Sequence, residues 1–431
     1  MNELPIWNAK IHLNPVLVTG YRTFTHSEIV FTKGVHMEKM DVIKIAKQLI
    51  QTPSLSGHEK ELAHFIRDFL SDGGADSVHI DAYGNVIAEV KGSSDYTVML
   101  EGHMDHVPPG NEAFWDHPPY SGKQIEDMLY GRGAVDMKGA LAAMLSSLQR
   151  LSTRERSVTV LGAFVVHEET VEGAAIQHIM EENKINPHLV ILGEPTNLHI
   201  ALGHRGRALI KVNLTGKTAH ASMPDLGINS IESGAHFIES LHSSCSSLPS
   251  DPLLGNATIT PISITCSPQG LPQLPDTCEI LFDRRLIRHE QESHLLQQME
   301  SLINTLKEET RIHSGTVTIQ EENLYCWTGK VLRVKDFFPS WVTEEDSREV
   351  ILIKKALDYL NPQCIFWEFS TDGVYTASKA SIPTVGFGPG DWRCAHQPNE
   401  CVNVKALEAA ESGYTSIINH IETEQDHMVH S

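Results

Sequence analysis

Histidine and carboxylate residues follow three of the strands that the sequence predicts. The apolar run YTVML leads into EGHMDH, AFVV leads into HEET, and VILG leads into EPT. Ligands in open α/β sheets bind beyond the carboxyl ends of the strands. These segments therefore bring five candidate metal ligands or catalytic groups to one sheet edge, namely His103, Asp105, Glu168, Glu169 and Glu194.

Two loop segments offer further ligands. Asp136, in GRGAVDMKG, stands just before a predicted helix, and His396 lies in the loop GFGPGDWRCAHQPNE after the last predicted strand. Alone, Asp136 is typical of a helix cap and His396 of a surface loop. Together with the strand-end residues they form an imidazole and carboxylate set without cysteine. Such a set suits zinc, cobalt or manganese, and a shared carboxylate holds two ions about 3.5 to 4 Å apart.

The elements that must position these residues alternate between helix and strand patterns from Met40 onward. Helical periodicity occurs in MDVIKIAKQLI, KELAHFIRDFL, KGALAAMLSSLQRL and REVILIKKALDYL. Strand patterns occur in SVTVLGAFVV, HLVILG and IPTVGFG. This alternation predicts an α/β sandwich.

A different order of elements is predicted between residues 205 and 320. Strand, helix, two strands, helix and strand follow one another there, which is the βαββαβ order of a ferredoxin-like unit. We therefore predict an N-terminal extension at 1–36, a catalytic domain formed by 37–204 and 321–431, and an inserted domain at 205–320. Met37 and Met40 stay open as alternative starts.

Composition excludes several classes of protein. The 431 residues carry a formal charge of −21, which argues against a nucleic-acid partner. No apolar run is long enough to span a bilayer. The seven cysteines lack CxxC spacing, so we expect neither a disulfide framework nor a thiolate zinc site, and a reducing cytoplasm fits best.

The segments GHMDHVP, GRGAVDMKG, HEE, GEPT and the late His396 occur in the order and spacing of a known family. The chain resembles the dinuclear zinc aminoacylases and carboxypeptidases of peptidase family M20, which include acetylornithine deacetylase and succinyl-diaminopimelate desuccinylase. The resemblance extends from Met40 to the C-terminal helix. It implies a zinc-exopeptidase-like α/β/α catalytic domain, and it matches the inserted βαββαβ domain to the family's lid and dimerisation domain.

The resemblance also implies roles for single residues. His103 and Glu194 would bind one ion and Glu169 and His396 the other, with Asp136 bridging both. Glu168 would be the general base, and Asp105 would fix the tautomer of the His103 imidazole. His220, in GKTAHASMP, would donate a hydrogen bond to the developing oxyanion from the partner subunit of a homodimer. His167 is expected to turn away, because side chains alternate along a strand.

Substrate contacts are expected on the lid. A small amino-acid-like substrate carries a carboxylate, and in DRRL the resemblance indicates Arg285 as its partner. Asn229 in GINS would be a further contact, although the family more often has Pro where Ser230 stands. STDG is followed by Val374, where several members have Arg, so the acyl group is not identified. DRRL, WEFSTDGV and GFGPG resemble a less characterised branch described as peptidases or deacetylases.

The sequence therefore predicts a hydrolase that uses two divalent ions, with zinc favoured, to cleave an amide bond of a small N-acyl amino acid. A dipeptidase or carboxypeptidase is the alternative within this class. A two-metal phosphoesterase would show more basic residues or phosphate-binding glycine loops. A metal-binding homologue without catalysis would have no reason to keep Glu168.

Overall fold

The computed structural model of the protein describes residues 41–244 and 248–429. The predicted extension, 1–36, lies outside the described residues. Elements up to residue 204 are α1 (Val42–Ile50), α2 (Lys60–Asp72), β1 (Ser77–Ile80), β2 (Val86–Val90), β3 (Thr97–His103), β4 (Lys123–Ile125), β5 (Met128–Tyr130), α3 (Lys138–Leu151), β6 (Thr159–Val165), α4 (Ala174–Asn183), β7 (Leu189–Leu192) and β8 (Ile200–His204).

The next segment forms a second sheet covered by two helices. Its elements are β9 (Gly206–Thr215), α5 (Ser230–Ser244), β10 (Ser250–Asp251), β11 (Gly255–Asn256), β12 (Thr258–Ser267), β13 (Thr277–Leu286), α6 (Glu292–Glu308) and β14 (Ser314–Ile319). The strand order β12-β13-β9-β14 is that of a ferredoxin-like unit, and its pairs are antiparallel. Alternate residues of β9, including Ile210 and Val212, are buried with Phe237 of α5 and Met299 of α6. This alternation is why the sequence pattern predicted the strand correctly.

The chain then returns to the first sheet and ends in a long helix. The returning elements are β15 (Glu321–Tyr325), β16 (Val331–Lys335), β17 (Phe337–Phe338), β18 (Trp341–Val342), α7 (Arg348–Ala356), β19 (Cys364–Trp367), β20 (Thr384–Gly386), β21 (Cys401–Asn403) and α8 (Val404–Val429). A π-helical segment, Val374–Lys379, lies between β19 and β20. β15 pairs with β16 as a hairpin, and β21 pairs with β5.

The large sheet has the order β1-β2-β6-β3-β7-β20-β8-β18, with β19 paired to β8. Its centre is parallel, because β3 runs parallel to both β6 and β7, and β20 runs parallel to β7. The four-residue β7, LVIL, is buried throughout, as parallel strands are when both faces are covered. Parallel strands end at the same edge, so β3, β6, β7 and β20 present their carboxyl ends together.

Helix α3 forms the centre of the helical layer. It buries 12 of its 14 residues and packs against α1 and α8. Small residues allow this close approach, and Ser146 and Ser147 both bond to Glu411 of α8. The predicted mixed α/β fold with an inserted βαββαβ unit is confirmed. The domain boundaries themselves stay a prediction, since the flanking strands end at His204 and Ile319.

Two adjacent connections join the sheets. The chain leaves β8 at His204 and enters β9 at Gly206, and it returns through β17, which pairs with β9, and β18, which pairs with β8. The two connections touch so closely that a Cβ on Gly206 would lie 2.3 Å from the carbonyl oxygen of Phe338. None of the helices in the described ranges is long and apolar enough to cross a membrane.

Candidate metal centre

Three neighbouring parallel strands bring the central groups of the candidate site together. His103 is the last residue of β3, whereas Glu168 and Glu169 follow β6 and Glu194 follows β7. Because β3 lies between β6 and β7, the imidazole has carboxylates on both sides. Its Nε2 atom is 3.6 Å from Glu194 Oε1 and 3.9 Å from Glu168 Oε2.

Asp136 stands between two imidazoles. Its Oδ1 atom is 2.9 Å from His103 Nε2, and its Oδ2 atom is 3.1 Å from His396 Nε2. His396 Nε2 also lies 3.0 Å from Glu169 Oε2. The side chain of His103 is 1% exposed and that of His396 is 49% exposed, so the cluster opens to solvent on the His396 side.

These groups have the composition of a site for divalent ions. Two sets of potential ligand atoms, His103 with Asp136 and Glu169, and His103 with Glu168 and Glu194, each lie within 4.8 Å of one another. Burial and the charge of Asp136 raise the pKa of Glu194, and burial and the charge of Glu194 raise that of Glu168. Such crowding of carboxylates is unfavourable until cations neutralise it, and the nitrogen and oxygen donors fit zinc, cobalt or manganese.

Asp105 contacts three residues of the cluster, His103, Glu168 and Glu169. Its fully buried carboxylate accepts hydrogen bonds from the backbone N–H groups of Glu168, at 3.1 Å, and Glu169, at 3.2 Å. The Ser56 hydroxyl donates a third bond at 2.6 Å. His103 Nδ1 lies 3.0 Å from the Asp105 carbonyl oxygen and 3.6 Å from the carboxylate. Asp105 thus orients the imidazole mainly through its backbone and the two glutamates through its side chain.

Further buried acids support the site and were missed in the sequence. Glu59 is the residue before α2; its carboxylate accepts bonds from the N–H groups of Gly57 and His167, and burial raises its pKa to about 8. Glu400 accepts bonds from the N–H group of Asp136. The only sequence signal was position, since Glu59 stands before a helix and Glu400 follows His396 by four residues.

The expected orientation of His167 is correct, but the reason given for it is wrong. Strand β6 ends at Val165, so strand alternation does not apply to His167. Instead its backbone has a φ of 61°, and its Nε2 atom lies 3.1 Å from the carbonyl oxygen of Tyr325. A turn, rather than the pleat of a strand, directs the ring away from the cluster.

The three lid residues stay apart from the cluster in the single chain. His220 is exposed and accepts a bond from the N–H of Ser222. Asn229 accepts a bond from the N–H of Ile231 at the start of α5, and Arg285 pairs with Asp283 at 2.8 Å. Among the described residues, no hydrogen bond or ion pair joins His220, Asn229 or Arg285 to the cluster.

Val374 and Asp372 lie behind the site. Val374 is fully buried with Val171 and Phe338, so its side chain belongs to a core. Asp372 accepts a bond from the N–H of Gly173 at 2.5 Å, and burial raises its pKa to about 6. Burial, together with the charge of Asp372, raises the pKa of the buried carboxyl group of Glu101 on β3.

Together, the parallel sheet edge and its imidazole and carboxylate cluster define the class of α/β metallohydrolases. The sequence profile of the family "Peptidase family M20/M25/M40" matches residues 99–420. The chain belongs to this family, and it is therefore a hydrolase that acts on amides.

Two relatives are similar to this chain in sequence, and one solved structure is similar in fold. The uncharacterized protein YgeY of Escherichia coli K12 is 31% identical over 365 residues, which are 84% of this chain and 89% of YgeY. Acetylornithine deacetylase of Buchnera aphidicola is 28% identical over 396 residues, 88% of this chain and 97% of that enzyme. YXEP of Bacillus subtilis, a dinuclear metal-binding peptidase of family M20, is similar in fold. It gives a TM-score of 0.66 at 17% identity and covers 89% of this chain and 98% of its own.

Proposed function

We propose that the protein is a two-metal deacylase that hydrolyses the amide bond of a small N-acyl amino acid. The observation that carries the proposal is the position of Asp136, whose two carboxylate oxygens lie 2.9 Å from His103 and 3.1 Å from His396. A carboxylate with one imidazole at each oxygen is suited to bridging two cations.

The neighbouring groups would complete the two ion sites. His103 and Glu194 would hold one ion, and Glu169 and His396 the other, with Asp136 shared between them. Zinc is the favoured metal, with cobalt or manganese as alternatives. When bound, the ions lower the pKa of water and neutralise charge that develops on the substrate carbonyl oxygen.

Glu168 would be the general base. Its carboxylate lies beside the cluster, 3.9 Å from His103 Nε2, and is 8% exposed. It would take a proton from the attacking water and give that proton to the departing amine, so that acid and amine are the products. Asp105 supports this role, because it holds the backbone of Glu168 by a hydrogen bond of 3.1 Å.

The lid would complete the site from a second copy of the chain. We propose 205–320 as a lid and dimerisation domain, with His220 as an oxyanion donor and Arg285 and Asn229 as substrate contacts. The edge strand β12 supports pairing, because Ile262 and Ile264 are 53% and 51% exposed. Ile231 on α5 is also exposed, so an apolar sheet edge and helix are available to a two-fold-related partner.

The substrate class can be decided with one panel of compounds. The name of one relative, acetylornithine deacetylase, supports an N-acyl amino acid as the substrate. YXEP is named a peptidase, which supports a peptide instead. We expect the protein to hydrolyse N-acetyl amino acids faster than the matching dipeptides, with zinc, cobalt or manganese added. Faster cleavage of the dipeptides would establish the peptidase alternative instead.

The metal requirement is tested independently of the substrate. Metal analysis of the purified protein is expected to find close to two divalent ions per chain, and excess chelator should abolish hydrolysis, because the ligands act only as a set. Hydrolysis that persists undiminished in chelator, with no metal bound, would contradict the two-metal proposal.

A further inference from the structure

Glu400 is a buried acid that contacts the backbone of the candidate bridging ligand. It is 1% exposed, and its Oε1 atom accepts hydrogen bonds from the N–H groups of Val135, at 2.8 Å, and Asp136, at 3.1 Å. Its Oε2 atom accepts a bond from Arg132 at 2.5 Å. Both carboxylate oxygens are therefore occupied, one by the turn that carries Asp136 and one by a guanidinium group.

Arg132 is itself held in place. It is 2% exposed and lies under the ring of Trp115, with 5.3 Å between the guanidinium carbon and the ring centroid. Trp115 in turn donates a hydrogen bond to the carbonyl oxygen of Pro109 at 2.9 Å. Three segments that are distant in sequence thus meet at the Arg132–Glu400 ion pair.

The pairing of two short strands fixes the position of Glu400 relative to the turn that carries Asp136. β21 pairs with β5, with Cys401 opposite Tyr130, and the Gly131 N–H group donates to the Glu400 carbonyl oxygen at 2.9 Å. His396 lies four residues before Glu400 on the same segment and contacts Oδ2 of Asp136. One segment therefore holds Asp136 by its side chain and by its backbone.

We infer that Glu400, held by Arg132, is the positioning residue that sets the orientation of the Asp136 carboxylate between the two ion sites. The inference rests on the metal centre proposed above. Asp136 faces His103 with one oxygen and His396 with the other, and the N–H groups of residues 135 and 136, both bound to Glu400 Oε1, hold the backbone from which its side chain projects.

Glutamine cannot replace Glu400 in this arrangement. A carboxamide has one acceptor oxygen and one donor group, whereas the site needs acceptors toward both Arg132 and the two N–H groups. In Glu400→Gln the NH₂ group of the carboxamide therefore faces a second donor, either the Arg132 guanidinium or the two backbone N–H groups. The double variant Arg132→Met/Glu400→Gln removes this conflict, because methionine takes away the opposing donor and the carboxamide oxygen at position 400 can then accept from the two N–H groups.

Metal affinity and the visible spectrum of the cobalt-loaded protein test the inference without measuring hydrolysis. We expect Glu400→Gln to weaken zinc binding, measured by competition with a chromophoric chelator, by about 10- to 100-fold, the usual effect of a lost partner behind a ligand. The cobalt absorption bands should change with it. The double variant should recover affinity at least about tenfold relative to Glu400→Gln.

Asn399→Gly is the matched control, because glycine removes the side chain and accepts the backbone φ of 62° at this position. Its carboxamide accepts a bond from the N–H group of Asp116 at 2.7 Å, and it is adjacent to Glu400 in sequence. The variant removes a contact of the same segment with the loop at Asp116 and leaves the Asp136 turn bonded, so zinc affinity should stay within about threefold of wild type.

The possible outcomes separate the inference from the proposed function. If the wild type binds two ions and a folded Glu400→Gln binds them with equal affinity and an unchanged cobalt spectrum, the role of Glu400 is wrong and the metal centre stands. The role is also wrong if the double variant is no better than the single one. A wild type that binds no ions would overturn the metal centre itself.

If Glu400→Gln does not fold, Glu400→Asp keeps the charge but is too short for both contacts, and wild-type zinc affinity in that variant would overturn the role.

Discussion

Glu168 and Glu169 are neighbours in the chain, but their carboxylates have different surroundings. Glu169 lies 3.0 Å from His396 Nε2, and burial together with the charge of Asp136 raises its pKa to about 7. Glu168 lies 3.9 Å from His103 Nε2, and burial together with the charge of Glu194 raises its pKa. The first surroundings suit a metal ligand, and the second suit a group that exchanges protons with water and substrate.

Replacing each glutamate by glutamine separates these roles. We expect Glu168→Gln to lower turnover by about 10² to 10⁴, because an amide cannot take the proton from water, while metal content stays close to that of the wild type. Glu169→Gln, the matched control, should lose metal as well as activity. Turnover numbers and metal content are measured on the same preparations. Ordinary turnover in Glu168→Gln would show that another group is the base.

Sequence reasoning found the residues that strands deliver and missed those that support them. His103 and Glu194 stand at or just after apolar runs, so the rule for parallel sheet edges was enough to bring them together. Ser56 and Glu400 carry no such signal, because they act on residues 49 and 264 positions away. Which buried acceptor meets which N–H group depends on the packing of loops, and no periodic pattern encodes it.

At the scale of elements, long strands and helices were predictable and short ones were not. In ten-residue strands such as β9 and β13, buried residues alternate along the whole strand with partly or fully exposed ones. The strands β4, β5 and β21 have three residues each, which is too short to show a hydrophobic periodicity. Their pairing nevertheless fixes the position of the segment around Glu400. The π-helical segment Val374–Lys379 was missed for the same reason.

The segment that returns from the lid carries a buried acid at its turn. Asp336 stands between β16 and β17, is 2% exposed, and its backbone bonds to Leu209 of β9 and to Gln320. Burial and the charge of Glu322 raise its pKa from an ordinary value of 3.8 to about 6, although Arg207 opposes the shift. The folded state therefore holds this proton more tightly than the unfolded state does.

This shift predicts the pH dependence of stability in Asp336→Asn. Above pH 6 the wild type carries the cost of an ionised buried carboxylate, so the variant should be more stable by on the order of 2 kcal/mol. As pH falls from about 6 to about 4 the folded wild type gains the proton first, and the advantage of the variant should disappear. Urea unfolding of both proteins at pH 8, 6 and 4 measures the difference. An advantage that is equal at all three values would contradict the assignment.

At the scale of the whole molecule, one chain supplies the candidate metal ligands but leaves the lid residues apart from them. The side chain of His220 is exposed, and among the described residues its imidazole hydrogen-bonds to Ser222 of the same loop. The sheet edge at β12 presents Ile262 and Ile264 to solvent. A second copy that covers this edge would account for the exposed apolar residues and would bring its own lid toward the cluster.

Complementation between two inactive variants tests this arrangement. If His220 acts on the partner's cluster, a mixed dimer of His220→Ala and Glu168→Ala holds one site with both residues intact and one site with neither. Random pairing makes half of the dimers mixed, so co-expression should restore about a quarter of wild-type activity. The matched control is Glu168→Ala with Asp136→Ala, because both residues belong to the cluster of one chain and no mixed dimer holds a complete site.

Differently tagged chains, purified through both tags, give the mixed dimer alone, for which about half of wild-type activity is expected. A fully active His220→Ala, a monomeric protein, or mixed dimers without recovery would each show that the site is not shared between chains.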